Sequence, residues 1–158
     1  MVLLNFLFFQ SPIGPIRVEY TQQGISSLRF VEVLGESHTE IPEIENLIQS
    51  DLNGYFTQNN YVTKCPVAPH LGTEFQEKVW QTLQEIPSGE AWTYREIAER
   101  IGQSKASQAV GSANSQNPVL LRIPCHRVIG STGAMVGYAG ELWRKEWLLT
   151  HEGYAGLN

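Results

Sequence analysis

Two helix starts in the second half of the chain constrain its fold more than any other feature. Thr73-Glu74-Phe75-Gln76 and Thr93-Tyr94-Arg95-Glu96 both have the pattern of a capping box, in which the first and fourth residues bond each other's backbone N–H groups. The first helix is predicted to end at Pro87-Ser88-Gly89, and the second near Ile101.

A third helix is expected directly after the second. Gly102 is predicted to make a turn, and Ser104 is predicted to cap a helix that runs to about Asn114. Two short helices joined by a glycine turn form the outline of a helix-turn-helix, although many ordinary helix pairs share that outline.

The first half of the chain has a different pattern. Short runs rich in Val, Ile, Leu and Phe at 2–9, 16–20 and 25–33 are separated by turn sequences, which is typical of a small antiparallel sheet. Apolar residues at helical spacing follow between 41 and 56. We therefore expect three strands covered by one helix in this half.

The composition is that of a globular protein with two parts. Apolar residues make up 42% of the chain and charged residues 17%, which is enough apolar material for a buried core. Residues 64–69 have the composition of a linker, so we expect one domain over 1–68 and another over 69–158.

Several classes of protein are disfavoured. Two cysteines, Cys65 and Cys125, are too few for a disulfide framework, which favours a reducing compartment. The histidines show no paired ligand spacing, so no metal site is expected. The apolar run 1–9 has neither a basic start nor a cleavage site and is too short to span a bilayer.

The distribution of charge permits contact with nucleic acid on one part of the surface. The formal net charge of −5 argues against a protein that coats nucleic acid electrostatically. Residues 104–140, however, contain no Asp or Glu, whereas Lys105, Arg122 and Arg127 are basic. An acid-free surface of this kind can approach phosphates.

The third predicted helix is rich in small residues. We expect one face to pack inward and a thin outer face to fit a narrow groove, and a tightly packed helix pair explains the pattern about equally well. The inward set is Ala106, Ala109, Val110 and Ala113, and the outward set is Ser107, Gln108, Gly111 and Ser112.

Cys125 is the candidate nucleophile. It is followed by His126, and Arg122 and Arg127 are close in sequence. A thiol near pH 7 needs a lowered pKa or a nearby base. Because consecutive side chains do not face each other, His126 would act through a water or a sharp turn, to which Pro124 could contribute. A buried cysteine beside a surface histidine remains the commoner explanation of such a pair.

A histidine base also needs an acceptor that orients it. Glu152 is a candidate, since it follows the predicted helix 142–150 at the end where a carboxylate opposes the helix dipole. A solvated residue of the tail is the alternative.

The run Pro124-Cys125-His126-Arg127-Val128 resembles the signature of the O6-alkylguanine-DNA alkyltransferases, also called methylated-DNA–protein-cysteine methyltransferases. The likeness covers nearly all of 70–153, and the N-terminal half fits more loosely. Other similar segments are Gly72-Thr73-Glu74-Phe75-Gln76, Ile86-Pro87-Ser88-Gly89, Ala109-Val110-Gly111, Asn117-Pro118-Val119 and residues 145–153.

The resemblance implies an α+β fold. It consists of a small N-terminal three-stranded antiparallel sheet with a helix, of ribonuclease-H-like type, followed by a mainly helical winged helix-turn-helix domain. The implied partner is double-stranded DNA that carries O6-alkylguanine. The protein would act as a monomer, without a cofactor or a membrane, in a bacterial cytoplasm or a eukaryotic nucleus.

The resemblance also implies a mechanism. The helix-turn-helix would enter the minor groove and a flipped guanine, or less readily an alkylated thymine, would give its alkyl group irreversibly to Cys125. His126, oriented by Glu152, would remove the thiol proton, while Asn117 would brace the site and Tyr94 would donate to the guanine. The expected substrate-binding set is completed by Val128, Ser131, Ala139 and Gly140, and the DNA-binding set is Arg95, Gln103, Lys105, Ala106, Ser107, Gln108, Gly111 and Arg127.

Two positions depart from the family pattern. Gln108 stands where an arginine commonly fills the gap left by the flipped base, and Glu141 stands where glycine is frequent. Competing hypotheses are a sensor of alkylated DNA that performs no repair, a helix-turn-helix regulator and a thiol hydrolase. A sensor of that kind would lack the cysteine.

Overall fold

The computed structural model describes residues 4–157, which form two compact units. The first unit runs to Leu71 and includes Pro118–Arg122, and the second contains Gly72–Asn117 and the chain from Ile123 onward. The sequence assigned 118–122 to the second part, but the backbone N–H of Leu28 donates to the carbonyl of Pro118 at 2.9 Å. The division into folding domains at 68/69 stays a prediction.

The first unit is built on a three-stranded antiparallel sheet in the order β1-β2-β3, which confirms the predicted architecture. Its strands are β1 (Asn5–Ser11), β2 (Gly14–Thr21) and β3 (Gly24–Phe30). Residues 2 and 3 of the first predicted strand lie outside the described residues. Helix α1 (Pro42–Thr57) follows the sheet and buries Ile48 and Leu52.

The second unit is mainly helical, as predicted. Both predicted capping boxes are present, at Thr73 and Thr93. No helix within 4–157 is long and apolar enough to cross a membrane. The helices of the second unit are α2 (Glu74–Leu83), α3 (Tyr94–Arg100), α4 (Ser107–Ser115) and α5 (Leu142–His151).

The start and the inward face of α4 differ from the prediction. The helix begins at Ser107, so Ser104 is not its cap, and Ala106 at the N-cap makes no side-chain bond. Residues 103–106 form a turn instead, with the N–H of Ala106 donating to the carbonyl of Gln103 at 2.8 Å. Ala109 is exposed, not buried, because the inward face is narrower than predicted and includes Val110 and Ala113.

A short parallel strand pair was not predicted from the sequence. Strand β4 (Trp92–Thr93) precedes α3 directly, and β5 (Val128–Ile129) follows the segment that carries Cys125. The register pairs Trp92 with Val128. The ladder therefore brings the first residue of α3 close to the cysteine segment.

Glu141, at the N-cap of α5, has a backbone conformation that favours glycine. Its φ is 75° and its ψ is 146°, a region that costs a residue with a Cβ about 1–3 kcal/mol. Its carboxylate accepts a hydrogen bond from the indole N–H of Trp143 at 2.9 Å. Position 141 thus carries strain that a glycine would not have.

We expect Glu141→Gly to stabilise the protein by about 1 kcal/mol, because relief of the strain exceeds the entropy that glycine adds to the unfolded chain. Glu141→Ala is the matched control, since it removes the carboxylate and keeps the Cβ. Chemical denaturation of both variants tests this expectation, and equal effects of Gly and Ala would contradict it.

Candidate active site

Cys125 lies in a single turn of 3-10 helix, Cys125–Arg127, with Pro124 as its N-cap residue. Cys125 is 2% exposed and His126 is fully buried. Successive residues of such a turn point about 120° apart, because there are three residues per turn. The sharp turn, one of the two alternatives for an action of His126 on the thiol, is therefore present, but the two side chains still do not face each other directly, which leaves a role for a bridging water.

The carboxylate of Glu152 binds both neighbours of the cysteine. His126 Nε2 lies 2.8 Å from Glu152 Oε2, and Arg127 Nε donates to Oε1 at 2.8 Å. Arg127 Nη2 donates to Oε2 at 3.0 Å, and Nη1 donates to the carbonyl of Ile86 at 2.7 Å. Glu152 is therefore a buried acceptor and not a solvated residue of the tail.

These contacts determine the ionisation of the network. Burial alone would raise the pKa of Glu152, but the charge and hydrogen bond of His126 and those of Arg127 lower it well below its usual range. Burial also lowers the pKa of His126, and this outweighs the opposite effect of Glu152. At neutral pH we therefore take Glu152 as ionised and His126 as neutral.

The pairing also defines which nitrogen of His126 acts as a base. An ionised carboxylate can only accept, so His126 Nε2 carries the proton that bonds Glu152. The lone pair is then on Nδ1, which has no protein partner within the described residues. Nδ1 is thus the atom that can accept a proton from the thiol.

Two asparagines support the cysteine. The Asn117 side chain donates to the carbonyl of Ile123 at 2.7 Å and also hydrogen bonds the Cys125 thiol. Asn114, which the sequence analysis did not single out, lies at 3.4 Å from the Cys125 carbonyl through Nδ2. Asn117 is therefore in contact with the candidate nucleophile, as its expected bracing role requires.

The resting cysteine is a thiol and not a thiolate. Burial raises its pKa to about 11, against the hydrogen bond of Asn117 and the charge of Lys145, which lower it. Reaction at neutral pH consequently needs a base, and the neutral His126 is the candidate.

Lys145 of α5 is a site residue that the sequence analysis missed. It is fully buried, and its Nζ donates to the carbonyls of Val128 at 2.6 Å and Val136 at 2.7 Å. Burial lowers its pKa to about 8, against the charge of Cys125. A signal for its burial was present in the sequence. Lys145 lies three and four residues before Leu148 and Leu149, and therefore on the same face of the helix, and both leucines are buried.

Two tyrosines border the reactive segment. Tyr94 starts α3, and burial and the charge of Cys125 raise its pKa. A Cβ on Gly111 would lie 3.8 Å from the Tyr94 ring, so α4 also borders this site. Tyr138, not predicted as a site residue, has its ring centroid 6.4 Å from that of His126. Tyr94 can therefore donate a hydrogen bond near the nucleophile while remaining protonated.

The remaining expected substrate-binding residues lie in and beside the loop before α5. Ser131 and Ala139 are exposed, and Gly140 is buried. Val128 N–H donates to the carbonyl of Cys125, and the Val128 carbonyl accepts from Lys145. A carbonyl has two lone pairs, so that of Val128 can accept one further donor.

Most of the expected DNA-binding residues lie at the surface of the helix-turn-helix. Arg95 pairs with Glu99 at 3.1 Å, an exposed contact that contributes little to stability. Arg127 was expected at the DNA, but its guanidinium is engaged by Glu152 and Ile86. The exposed members are Arg95, Gln103, Lys105 and Gln108, and the half-buried members are Ala106, Ser107 and Gly111.

No group of three or more potential metal-ligating side chains occurs among residues 4–157. Cys65 belongs to the first unit, where its backbone N–H donates to Asp51 at 2.7 Å. Arg122 donates to the carbonyl of Cys65 at 2.7 Å, so this basic residue also lies in the first unit.

Comparison with known proteins agrees with this geometry. The family described as "6-O-methylguanine DNA methyltransferase, DNA binding domain" matches residues 74–154. A methylated-DNA–protein-cysteine methyltransferase from Methanosarcina acetivorans is 43% identical over 157 residues, covering 95% of this chain and 99% of the relative. One from Shigella flexneri is 48% identical over 68% of this chain and 63% of the relative.

A solved structure is similar over the same length. The crystal structure of Mycobacterium tuberculosis OGT in complex with DNA has a TM-score of 0.81 and 36% identity, covering 96% of each chain. The chain belongs to the methylated-DNA–protein-cysteine methyltransferase family, and its activity is DNA repair by alkyl transfer.

We expect His126 and Glu152 to act as one unit, because the imidazole is useful only when the carboxylate orients it. His126→Ala, Glu152→Gln and the double variant should each slow alkyl transfer by similar amounts, on the order of 10²–10⁴-fold. The measurement is the second-order rate of alkyl transfer. Glu146→Gln is the matched control, since Glu146 is an exposed glutamate of the same helix. Additive losses in the double variant would show that Glu152 does not act through His126.

Proposed function

We propose that Cys125 is the acceptor of the alkyl group of O6-alkylguanine, and less readily of O4-alkylthymine, in double-stranded DNA. The observation that carries this proposal is a buried thiol that Asn117 hydrogen bonds, in the same 3-10 turn as a neutral imidazole whose Nδ1 has a free lone pair. A cysteine that is only structural needs no base with a free lone pair and no carboxylate to orient it.

The reaction is a single displacement at the alkyl carbon. The Cys125 thiol gives its proton to His126 Nδ1 through a bridging water, and the sulfur forms a bond to the carbon. The bond between this carbon and O6 breaks, and its electron pair goes to the guanine. Tyr94 donates its proton to the guanine ring so that a neutral base leaves, or, where it donates only a hydrogen bond, the guanine takes this proton from solvent. His126 and Tyr94 regain their resting states by exchange with solvent.

The product explains the expected single turnover. A thioether at Cys125 has no proton for His126 to remove and is not hydrolysed under mild conditions. Each molecule would then accept one alkyl group, and no cofactor would take part.

The DNA would bind on the exposed face of the helix-turn-helix, with the lesion flipped toward Cys125. Support comes from the relative whose structure contains DNA, and from the exposed Lys105, Gln103 and Gln108. Val128, Ser131, Ala139 and Gly140 would border the flipped base. We propose that the protein acts as a monomer in a reducing compartment, such as the bacterial cytoplasm or the nucleus, because the reaction consumes a free thiol.

We expect incubation with an oligonucleotide containing O6-methylguanine to add the mass of one methyl group to each protein molecule, at Cys125. Intact mass and peptide mapping measure this addition. Cys125→Ser should bind the DNA and gain no methyl group, while Cys65→Ala should react as wild type does. Methylation at Cys65, or several turnovers per molecule, would refute the proposal.

A second expectation concerns Gln108, which is exposed on α4 where the family commonly has arginine. Arginine reaches further and offers more donors to the orphaned partner base, so Gln108→Arg should favour the flipped state. We expect repair of duplex DNA to accelerate about tenfold, equivalent to about 1.4 kcal/mol, and reaction with free O6-benzylguanine to change little. Second-order rates on both substrates test this expectation. An equal gain on both substrates would show that Gln108 does not act in flipping.

A further inference from the structure

We propose that Lys145 is a positioning residue for alkyl transfer, which joins the substrate loop to the cysteine segment and supplies the positive charge that makes the Cys125 thiolate accessible. This inference rests on the proposed function and adds a residue that the family resemblance did not assign here. The substrate loop is defined as residues 130–140.

The ammonium group of Lys145 bonds two separate segments of the site. Lys145 Nζ donates to the carbonyl of Val128, directly after the 3-10 turn, and to that of Val136 in the substrate loop. Further bonds hold the loop internally, from Gly130 N–H to the carbonyl of Ala134 at 3.0 Å and from Gly133 N–H to that of Gly130 at 2.9 Å. One buried donor thus bonds both the substrate loop and the strand that carries Val128.

The same bond fixes a carbonyl expected to contact the substrate. The Val128 carbonyl would accept from the edge of the flipped base, and its other lone pair is taken by Lys145. A charged donor orients this carbonyl more strongly than a neutral one. Loss of the ammonium proton would weaken both the orientation of Val128 and the attachment of the loop.

The buried charges around Cys125 do not cancel. Around Cys125 the buried or nearly buried charged groups are Lys145, Arg127 and the carboxylate of Glu152. With a neutral thiol and a neutral His126, these groups leave one positive charge unbalanced. Transfer of the thiol proton to His126 leaves this total unchanged but creates a buried anion at Cys125, and the Lys145 charge is one that stabilises this anion. Without Lys145 the thiolate would depend on the imidazolium alone for compensation, and a poorly compensated buried anion is costly.

This balance predicts an unusual dependence on pH. Burial lowers the pKa of Lys145 to about 8 and raises that of Cys125 to about 11, so the lysine loses its proton first as pH rises. The other titratable groups at the site do not change charge between pH 7 and 9. The pKa of His126 is lowered, that of Glu152 is held low, those of Tyr94 and Tyr138 are raised, and the guanidinium groups of Arg127 and Arg144 stay charged.

We expect the rate of reaction with free O6-benzylguanine to fall as pH rises through about 8. Simple ionisation of a thiol would give the opposite sign. The substrate is the free base, so the profile does not depend on DNA binding or flipping. Wild type and Cys65→Ala should give the same profile, since Cys65 lies in the other unit.

Lys145→Met should react about tenfold or more slowly at pH 7, because two charge-assisted hydrogen bonds are lost, and its profile should lack the fall near pH 8. Lys145→Arg keeps a charge that does not titrate in this range. Its profile should also lack the fall, with part of the rate recovered. A purely structural lysine would lower the rate and leave the shape of the profile unchanged.

The outcomes separate this inference from the proposed function. If wild type gains no alkyl group at Cys125 at any pH, the proposed function fails. If wild type reacts but its rate rises steadily from pH 7 to 9, the role of Lys145 is refuted. The wild-type profile decides this point even if Lys145→Met does not fold.

Discussion

The hydrogen bonds and ion pair of the buried Glu152 carboxylate are the interactions on which the rest of the site depends. This carboxylate lies at the C-terminal end of α5, where the helix dipole disfavours a negative charge, and it is almost completely removed from water. Two partners compensate for this position, His126 and Arg127, which are consecutive residues of the 3-10 turn. The carboxylate therefore joins the last helix to the turn that holds the cysteine.

Arg127 extends this connection to a third segment. Its Nη1 donates to the carbonyl of Ile86, just after α2, and the backbone of Glu152 lies close to Gly89. A Cβ at Gly89 would lie 3.1 Å from the backbone carbonyl oxygen of Glu152, and the φ of Gly89 is 90°. These contacts connect three separate parts of the second unit beside the His126 imidazole. The parts are the segment after α2, the 3-10 turn and the end of α5.

The electrostatics of the site favour the protonated, unreactive form of the Cys125 thiol at rest. Burial keeps Cys125 protonated at rest, and only thiolates react readily with small electrophiles and oxidants. Under the proposed function the thiol is used once, so the protein would gain from such protection. The neutral His126, the Asn117 hydrogen bond and the charge of Lys145 lower the cost of forming the thiolate when a substrate is in place.

The sequence by itself predicted most of the helices and strands and the candidate nucleophile. Local signals sufficed for these: the capping boxes at Thr73 and Thr93 depend on four consecutive residues, and the run around Cys125 is specific to one family. Only the tertiary structure decided the positions of Arg127 and Lys145. A guanidinium or an ammonium has the same chemistry at the surface and in the core, and its partners here, Ile86, Val128, Val136 and Glu152, are distant in sequence. The two-residue ladder β4–β5 was equally invisible, because so short a pairing has no periodicity and exists only through contact between remote segments.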